Sequence, residues 1–408
     1  MTNENFYLIE VRFQCMDVVV MGVGQTKFGS HPDKSLPELF AQAFFEAFDS
    51  SNVELNEIEA IYIGNFVGEI TDGSANLGGF IADEIGLSGV QAMRYESACC
   101  SSAVAFKEAY LAIKHGIYDC VLVGGVEKLK SAGTGIGTRA LATALDGVYE
   151  VNTGLTFPGV FALVARLYSE TYGISLERLR ECMAYVSIKN HKFGAKNPKA
   201  QFYKKLENLK VEDVLNSKMI CSPLTLLDCC PMTDGASALI LASEEFARER
   251  IDEPVYVRGV GQSSAGSLFR QKSAIIKALP RKKSSQIAYK MAGLSPRDID
   301  VALVHDCFTI AEIIALEAMG FFKYGECAMA TAEGLTDIDG EIPVNVDGGL
   351  IGKGHPVGAT GTAQIYSAVK LLRNDLNFVK VNAENVMTDT LGGDFGTLVN
   401  VILSIHKR

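Results

Sequence analysis

The feature that most constrains the fold is an internal echo. "LNEIEAIYIGN" (55–65) and "LSPRDIDVALVHD" (294–306) share a leucine, an acidic turn and a short apolar strand. Each follows a stretch with helical spacing, 36–49 and 280–293. Each is then followed by a turn that opens an amphipathic helix. In the first half the turn is "SACCSS" (97–102), leading to "AVAFKEAYLAIKHG"; in the second it is "GGLIGKGHPVGATG" (348–361), leading to "TAQIYSAVKLL". Strand-like runs come next, "YDCVLVGG" (118–125) and "FVKVNAENVM" (378–387). A duplicated α/β unit accounts for this order. If the halves match, the two turns occupy equivalent places and can meet at one pocket.

The segment 126–225 interrupts the pattern with glycine-rich stretches, helical runs near 157–173 and 175–193, and a lysine-rich stretch. It reads as an insertion carried by the first half, which resumes with "GASALILAS" and "EPVYVRGVGQ". The expected division is 16–125 plus 226–270 for the first half, 126–225 for the insertion and 271–408 for the second half. Residues 1–15 read as an extension or a misassigned start, with Met16 as an alternative start.

Composition narrows the class. No run of 18 or more apolar residues appears, so no membrane span is expected. The N-terminal stretch lacks the pattern of a signal peptide, which points to the cytosol. The net charge of −10 argues against nucleic acid as a partner. None of the ten cysteines is spaced C-x-x-C. In a reducing compartment most should be buried thiols, and that suffices for Cys15, Cys120, Cys182, Cys221 and Cys327. A zinc site built from the "CC" pairs at 99–100 and 229–230 is set aside, because adjacent side chains point apart and no histidine completes a tetrahedron. The pair in "DCCP" (228–231) reads as packing before a buried strand, with Asp234 and Gly235 shaping the turn. Against the acidic trend, 189–205 carries six lysines and no acidic residue. That is either a solvated helix end or a docking surface for an anionic ligand.

A cysteine just before a helix sits where unpaired N–H groups and the helix dipole favour a thiolate. Cys99 and Cys100 both meet that description, and both could equally pack under the turn. Partners shift the balance. His31, His115, His191 and His406 have polar, helix-end or terminal contexts. His355, by contrast, stands among glycines at the mouth of a helix, and His305 ends an apolar strand where a polar group is costly. Cys307 shares the face of His305 if the strand continues. One activated cysteine, two histidines and a second cysteine make a set for acyl transfer.

"ESACCSSA", "GGVEKL", "TFPGVFALVAR", "PLTLLDCCPMTDGASALIL", "VHDCF" and "GGLIGKGHPVGATG" together resemble the thiolase superfamily. Within it the chain is most similar to archaeal acetoacetyl-CoA thiolases and the sterol-carrier-protein type, from about Val18 to the C-terminus. The resemblance implies an α/β fold of two duplicated halves in five layers, αβαβα, with an inserted loop domain covering CoA. It makes Cys99 the nucleophile ahead of Cys100, and His355 its activator. His305 takes the place of the asparagine that holds a catalytic water in other thiolases, and Cys307 is the acid/base. The family's usual second cysteine falls at Thr390 in "DTLGGDFGT", a departure that suits the "HDCF" subgroup. Backbone N–H groups of Cys99, Gly392 and Gly393 would hold the oxyanion.

The resemblance further implies acetyl-CoA C-acetyltransferase activity through an acetyl-cysteine, without metal or redox cofactor, CoA thioesters being substrate and product. Phosphate capture by Lys192, Lys196 and Lys199 and pantetheine contact by Ser263 are expectations of the same kind. So are a homodimer or homotetramer, a mevalonate-pathway setting, and a complex with hydroxymethylglutaryl-CoA synthase and a small zinc-ribbon/OB-fold protein. A degradative 3-ketoacyl-CoA thiolase and a non-catalytic thiolase-like scaffold stay open as alternatives. A ketosynthase-type condensing enzyme fits the motifs less well.

Overall fold

The computed structural model describes residues 15–407, so all of the expected extension except Cys15 lies outside the described residues. The first half begins with β1 (Val18–Gln25) and α1 (Leu36–Asp49). Ser35 starts α1 through a capping box: its hydroxyl accepts from the Glu38 N–H, and the Glu38 carboxylate accepts from the Ser35 N–H at 2.7 Å. Strands β2 (Ala60–Gly64), β3 (Gln91–Tyr95), β4 (Cys120–Lys128) and β5 (Asp234–Ser243) complete this half, with helices α2 (Leu77–Glu84) and α3 (Ser101–Lys114). Helices α4 (Thr134–Ala142), α5 (Phe157–Tyr172) and α6 (Leu176–Lys196) occupy the insertion, the last two where the sequence places helical runs. The second half holds β6 (Val255–Ser264), α7 (Leu279–Ala292), β7 (Val301–Leu303), α8 (Thr309–Met319), α9 (Thr360–Leu372), β8 (Asn385–Gly392) and β9 (Thr397–Ser404).

Among the described residues these strands form one mixed sheet in the order β3-β2-β4-β5-β1-β6-β9-β8-β7. Side-chain parity sorts the residues between its faces. In β2, Ala60 and Tyr62 face one apolar cluster while Ile61 and Ile63 face another. In β1, Val18 and Val20 face one side and Val19 and Met21 the other; a register shift between Val20 and Gly22 carries the first side on to Val23. The inner cluster joins α3 and α9 to both halves of the sheet. Helices α1 and α2 cover the outer face of the first half, and α7 and α8 that of the second. The order of layers is therefore αβαβα.

Two expectations change. The strand placed at 378–387 starts at Asn385 and runs on to Gly392. The stretch before it ends on Asp300, whose carboxylate accepts from the Glu384 and Asn385 N–H groups at 2.8 and 2.9 Å and fixes where pairing begins. The expected first half reached residue 270, yet β6 pairs with β9 from Ser264–Thr397 to Tyr256–Ser404. Its link to β1 is only Val19–Tyr256 and Val20–Val255. By pairing, β6 is a strand of the second half, seated at the seam.

The two central helices meet at their N-termini. A Cβ at Gly361 would lie 2.6 Å from both the Cβ and the N of Ala103, so only glycine lets α9 approach α3 this closely. Ser102 Oγ accepts from the Thr362 N–H at 3.2 Å across the same contact. The turn before α3 and the turn before α9 are thereby brought side by side.

Candidate active site

Residues 97–101 are stitched by their own side chains. The Ser97 N–H donates to Ser101 Oγ at 3.0 Å, and Ser101 Oγ donates to the Ala98 carbonyl at 2.6 Å. Ala98 adopts a left-handed φ of 51°, which a residue with a side chain rarely takes, and its N–H is held by Glu96 at 2.6 Å. The strained turn points the two cysteines in different directions. Cys100 is fully buried and donates its thiol to the Thr390 carbonyl at 3.1 Å, between α3 and β8. Cys99 lines a cavity of about 520 Å³.

His305, Cys307, His355 and Gly393 line the same cavity. One ring nitrogen of each histidine and Cys99 Sγ lie within 4.8 Å of one another. The imidazoles stand edge to face, with centroids 5.0 Å apart and planes at 87°. The His355 N–H donates to Thr233 Oγ1 at 3.0 Å, and Nδ1 lies 2.7 Å from Thr360 Oγ1. The Thr360 hydroxyl donates to the Pro356 carbonyl at 3.1 Å, so it accepts from His355 Nδ1–H. That assignment leaves Nε2 as the acceptor of the ring. The backbone N–H of His305 is held by Asp389 at 3.3 Å.

Burial dominates the proton affinities. It pushes the Cys99 thiol up to about 12, against the pull of the Gly393 N–H and its own N–H and with the push of Glu127 and Glu96. Burial brings His355 down to about 3. His305 is held well below the usual range by burial, then by His355 and Arg281. The resting set is thus a neutral thiol beside two neutral imidazoles. A lone pair on His355 Nε2 can take the thiol proton as the sulfur attacks, and the Gly393 N–H is aimed at that sulfur.

Residues 18–245 match "Thiolase, N-terminal domain" and residues 261–405 match "Thiolase C-terminal domain-like". The chain belongs to the thiolase family. Among its relatives is the acetyl-CoA acetyltransferase of Methanothermobacter thermautotrophicus, 40% identical over 95% of this chain and 99% of the relative. Sterol carrier protein 2 of Bos taurus is 33% identical over 96% of this chain and 72% of its own length. A solved structure titled Ltp2-ChsH2(DUF35) aldolase superposes with a TM-score of 0.81 at 26% identity, covering 95% of this chain and 97% of the other. The chain is a thiolase-family acyltransferase.

Other expected site residues of this thiolase fall elsewhere. Lys192, Lys196 and Lys199 do not line the cavity. Lys192 pairs with Asp337 at 3.2 Å, Lys199 pairs with Glu46 at 2.6 Å and Lys196 is exposed. Ion pairing and helix packing engage these lysines, Lys189 is buried in a 2.6 Å pair with Glu312, and from 189–205 it is Gln201 that lines the cavity. The lysine at the cavity wall is Lys130. Ser263 donates to the Pro280 carbonyl instead of facing the cavity. Gly392 packs against the Ser97 carbonyl, where a Cβ would sit 2.4 Å away, while Gly393 faces Cys99. Asp234 does not hold the 228–231 turn with its side chain; its carboxylate accepts from the backbone N–H groups of His31, Lys130 and Ser131 and so ties two other loops to the start of β5.

Three side chains near the site go beyond the sequence reading. Cys229 and Cys230, read as packing, form part of the cavity wall, and the Cys230 N–H donates to the Cys307 carbonyl at 3.0 Å. Asp306 accepts from Asn190 Nδ2 at 2.8 Å and from the Leu350 and Ile351 N–H groups at 2.6 and 3.2 Å. It ties "HDCF" to the "GLIGKG" turn and to α6. Its place inside the motif was the available signal; its partners lie far off in sequence.

Proposed function

We propose that the chain is an acetyl-CoA C-acetyltransferase, joining two acetyl-CoA molecules into acetoacetyl-CoA and CoA. The observation that carries this reading is the convergence of Cys99, His305, Cys307 and His355, from two halves of the fold, on one cavity. The name of its 40% identical relative supports the acetyl substrate.

In this reading His355 Nε2 takes the Cys99 proton as sulfur attacks the thioester carbonyl. The oxyanion is met by the N–H groups of Cys99 and Gly393, donors fixed before the reaction begins. The oxyanion collapses and expels CoA as a thiolate, which leaves with the Cys307 proton, giving acetyl-Cys99 and a Cys307 thiolate. A second acetyl-CoA then gives an α-proton to Cys307, and His355 and a water on His305 hold the enolate oxygen. The carbanion attacks the acetyl carbonyl and Cys99 leaves as thiolate. The cavity and its neutral imidazoles suit this work: a buried neutral ring can donate or accept a hydrogen bond without the cost of a stranded charge.

A second reading has its own support. The cavity wall is largely apolar, with Leu129, Leu141, Phe157, Met232, Phe308 and Val357, and its volume leaves room for acyl chains longer than acetyl. A degradative 3-ketoacyl-CoA thiolase would use the same residues. The cellular setting is proposed as cytoplasmic and within the mevalonate pathway, with the protein a homo-oligomer. The two-component title of the structurally similar aldolase supports a partner protein, for which hydroxymethylglutaryl-CoA synthase and a small zinc-ribbon/OB-fold protein are the proposed candidates.

Incubation with acetyl-CoA followed by peptide mapping tests the first step, with acetyl expected on Cys99. Thiolysis of acetoacetyl-CoA against longer 3-ketoacyl-CoAs separates the two readings. Preference for the longer chains would displace the acetyl reading, and no acylated cysteine would favour the scaffold.

A further inference from the structure

We propose that the cavity also binds one soft divalent cation of the zinc class, through Cys99 Sγ and one ring nitrogen each of His305 and His355. The observation is geometric: one ligand atom from each of the three lies within 4.8 Å of the other two. In a tetrahedral site, bonds of about 2.0–2.1 Å to nitrogen and about 2.3 Å to sulfur set ligand atoms roughly 3.5 Å apart. Small side-chain rotations therefore close the set. The rings stand edge to face at 87° and do not stack, so each can turn a nitrogen toward one point.

The supports around the ligands are those a metal site needs. Thr360 holds His355 Nδ1 at 2.7 Å, fixing the tautomer and leaving Nε2 free, as an outer partner does for a metal-bound histidine. His305 Nδ1 is buried without a partner among the described residues. One thiolate and two imidazoles select zinc-like ions over magnesium or calcium, which take oxygen. Binding exchanges the Cys99 S–H bond for a sulfur–metal bond. The proton leaves to solvent, the nitrogens contribute lone pairs, and no electron changes hands.

Three protein ligands leave a fourth position open to the cavity. On the reading given under Proposed function, which this part rests on, CoA departs there as a free thiol. The thiol gives its proton to solvent and the CoA thiolate completes the tetrahedron, whereas the thioester sulfur of acetyl-CoA carries no charge to offer. The cation is thus an inhibitor of the nucleophile whose hold tightens as free CoA accumulates.

Cobalt(II) is the probe, titrated into the full chain. A thiolate-to-cobalt charge-transfer band with tetrahedral d–d bands is expected, saturating at one equivalent, displaced by zinc and accompanied by reversible loss of activity. The charge-transfer band should vanish in Cys99→Ser and persist in Cys100→Ser. Affinity should fall by about 100-fold or more in His305→Gln and in His355→Gln, beyond the usual loss from an outer-shell partner. Circular dichroism of each variant checks that it is folded. A charge-transfer band that survives in Cys99→Ser places the ion on other thiols and overturns the proposal. So does the lack of a stoichiometric band in a protein that still forms acetyl-Cys99. A cobalt site that CoA tightens at least tenfold, and acetyl-CoA does not, supports both the site and its fourth ligand. A cobalt site indifferent to CoA, in a protein that forms no acetyl-cysteine, counts against the thiolase reaction and leaves the cation site standing.

Discussion

Cys99 and Cys100 are neighbours in one turn, yet the turn gives one thiol to the cavity and the other to the core. The difference is set by Ala98, whose left-handed backbone is held by Glu96 and Ser101. Replacing the thiols one at a time should separate them. Cys99→Ser is expected to lower the condensation rate by about 10³-fold or more, as loss of a nucleophile does. Cys100→Ser should keep the rate within about tenfold, because its side chain never faces substrate, and cost about 1 kcal/mol for a hydroxyl in the core. Steady-state rates and thermal unfolding of both variants check this; a Cys100 variant as inactive as the Cys99 variant would reverse the assignment. Of the residues that face the cavity, Cys99, His305, Cys307, His355 and Gly393 were legible in the sequence, because each stands in a local motif whose residue types suit the chemistry. Asp306 and the wall formed by Cys229 and Cys230 were not, since their roles arise from partners more than 40 residues away along the chain.

Among the elements, the turn that carries His355 is anchored from beneath. Lys353 is buried and pairs with Asp347, with Ser367 Oγ 3.0 Å from the ammonium and 2.6 Å from the carboxylate. Burial works against the Asp347 charge, but Lys353, Ser367 and the Gly349 N–H outweigh it and hold the carboxyl below its ordinary 3.8. A carboxyl depressed in the folded state adds stability that is present above the unfolded pKa and lost as pH falls through the folded one. The protein should accordingly lose stability on acidification below about pH 4. Asp347→Asn should flatten that acid limb and, by stranding the buried lysine, cost about 3–5 kcal/mol at neutral pH. Urea unfolding of both proteins across pH measures it; an unchanged acid limb in the variant would rule this pair out as its source. Strand positions were readable where apolar runs alternate, as in β2. The start of β8 was not, because "FVKVN" has a strand's composition while Asp300, from the far side of the fold, decides where pairing begins.

At the scale of the whole molecule, the sheet is continuous only through the short contact between β1 and β6. The duplication was visible in the sequence, but the seam was not. Adjacent apolar strands such as 235–243 and 253–262 look alike, and only pairing tells which half each joins. Cys99 enters the cavity from the first half, and His305, Cys307 and His355 from the second. In rising urea, activity and Cys99 acylation should therefore fall before far-UV circular dichroism does, since the halves can part while their own strands and helices persist. Coincident loss of all three signals would show that the seam is as firm as the halves.

The close approach of Gly361 to Ala103 makes the molecule a lock with two keys. If either half is misshapen the site is not half-built but absent, because Cys99 and His355 come together only when both helix ends have arrived. On the proposed reaction, a nascent chain still missing its second half has a thiol at Cys99 but no imidazole beside it, so it should not become acylated before its folding is complete.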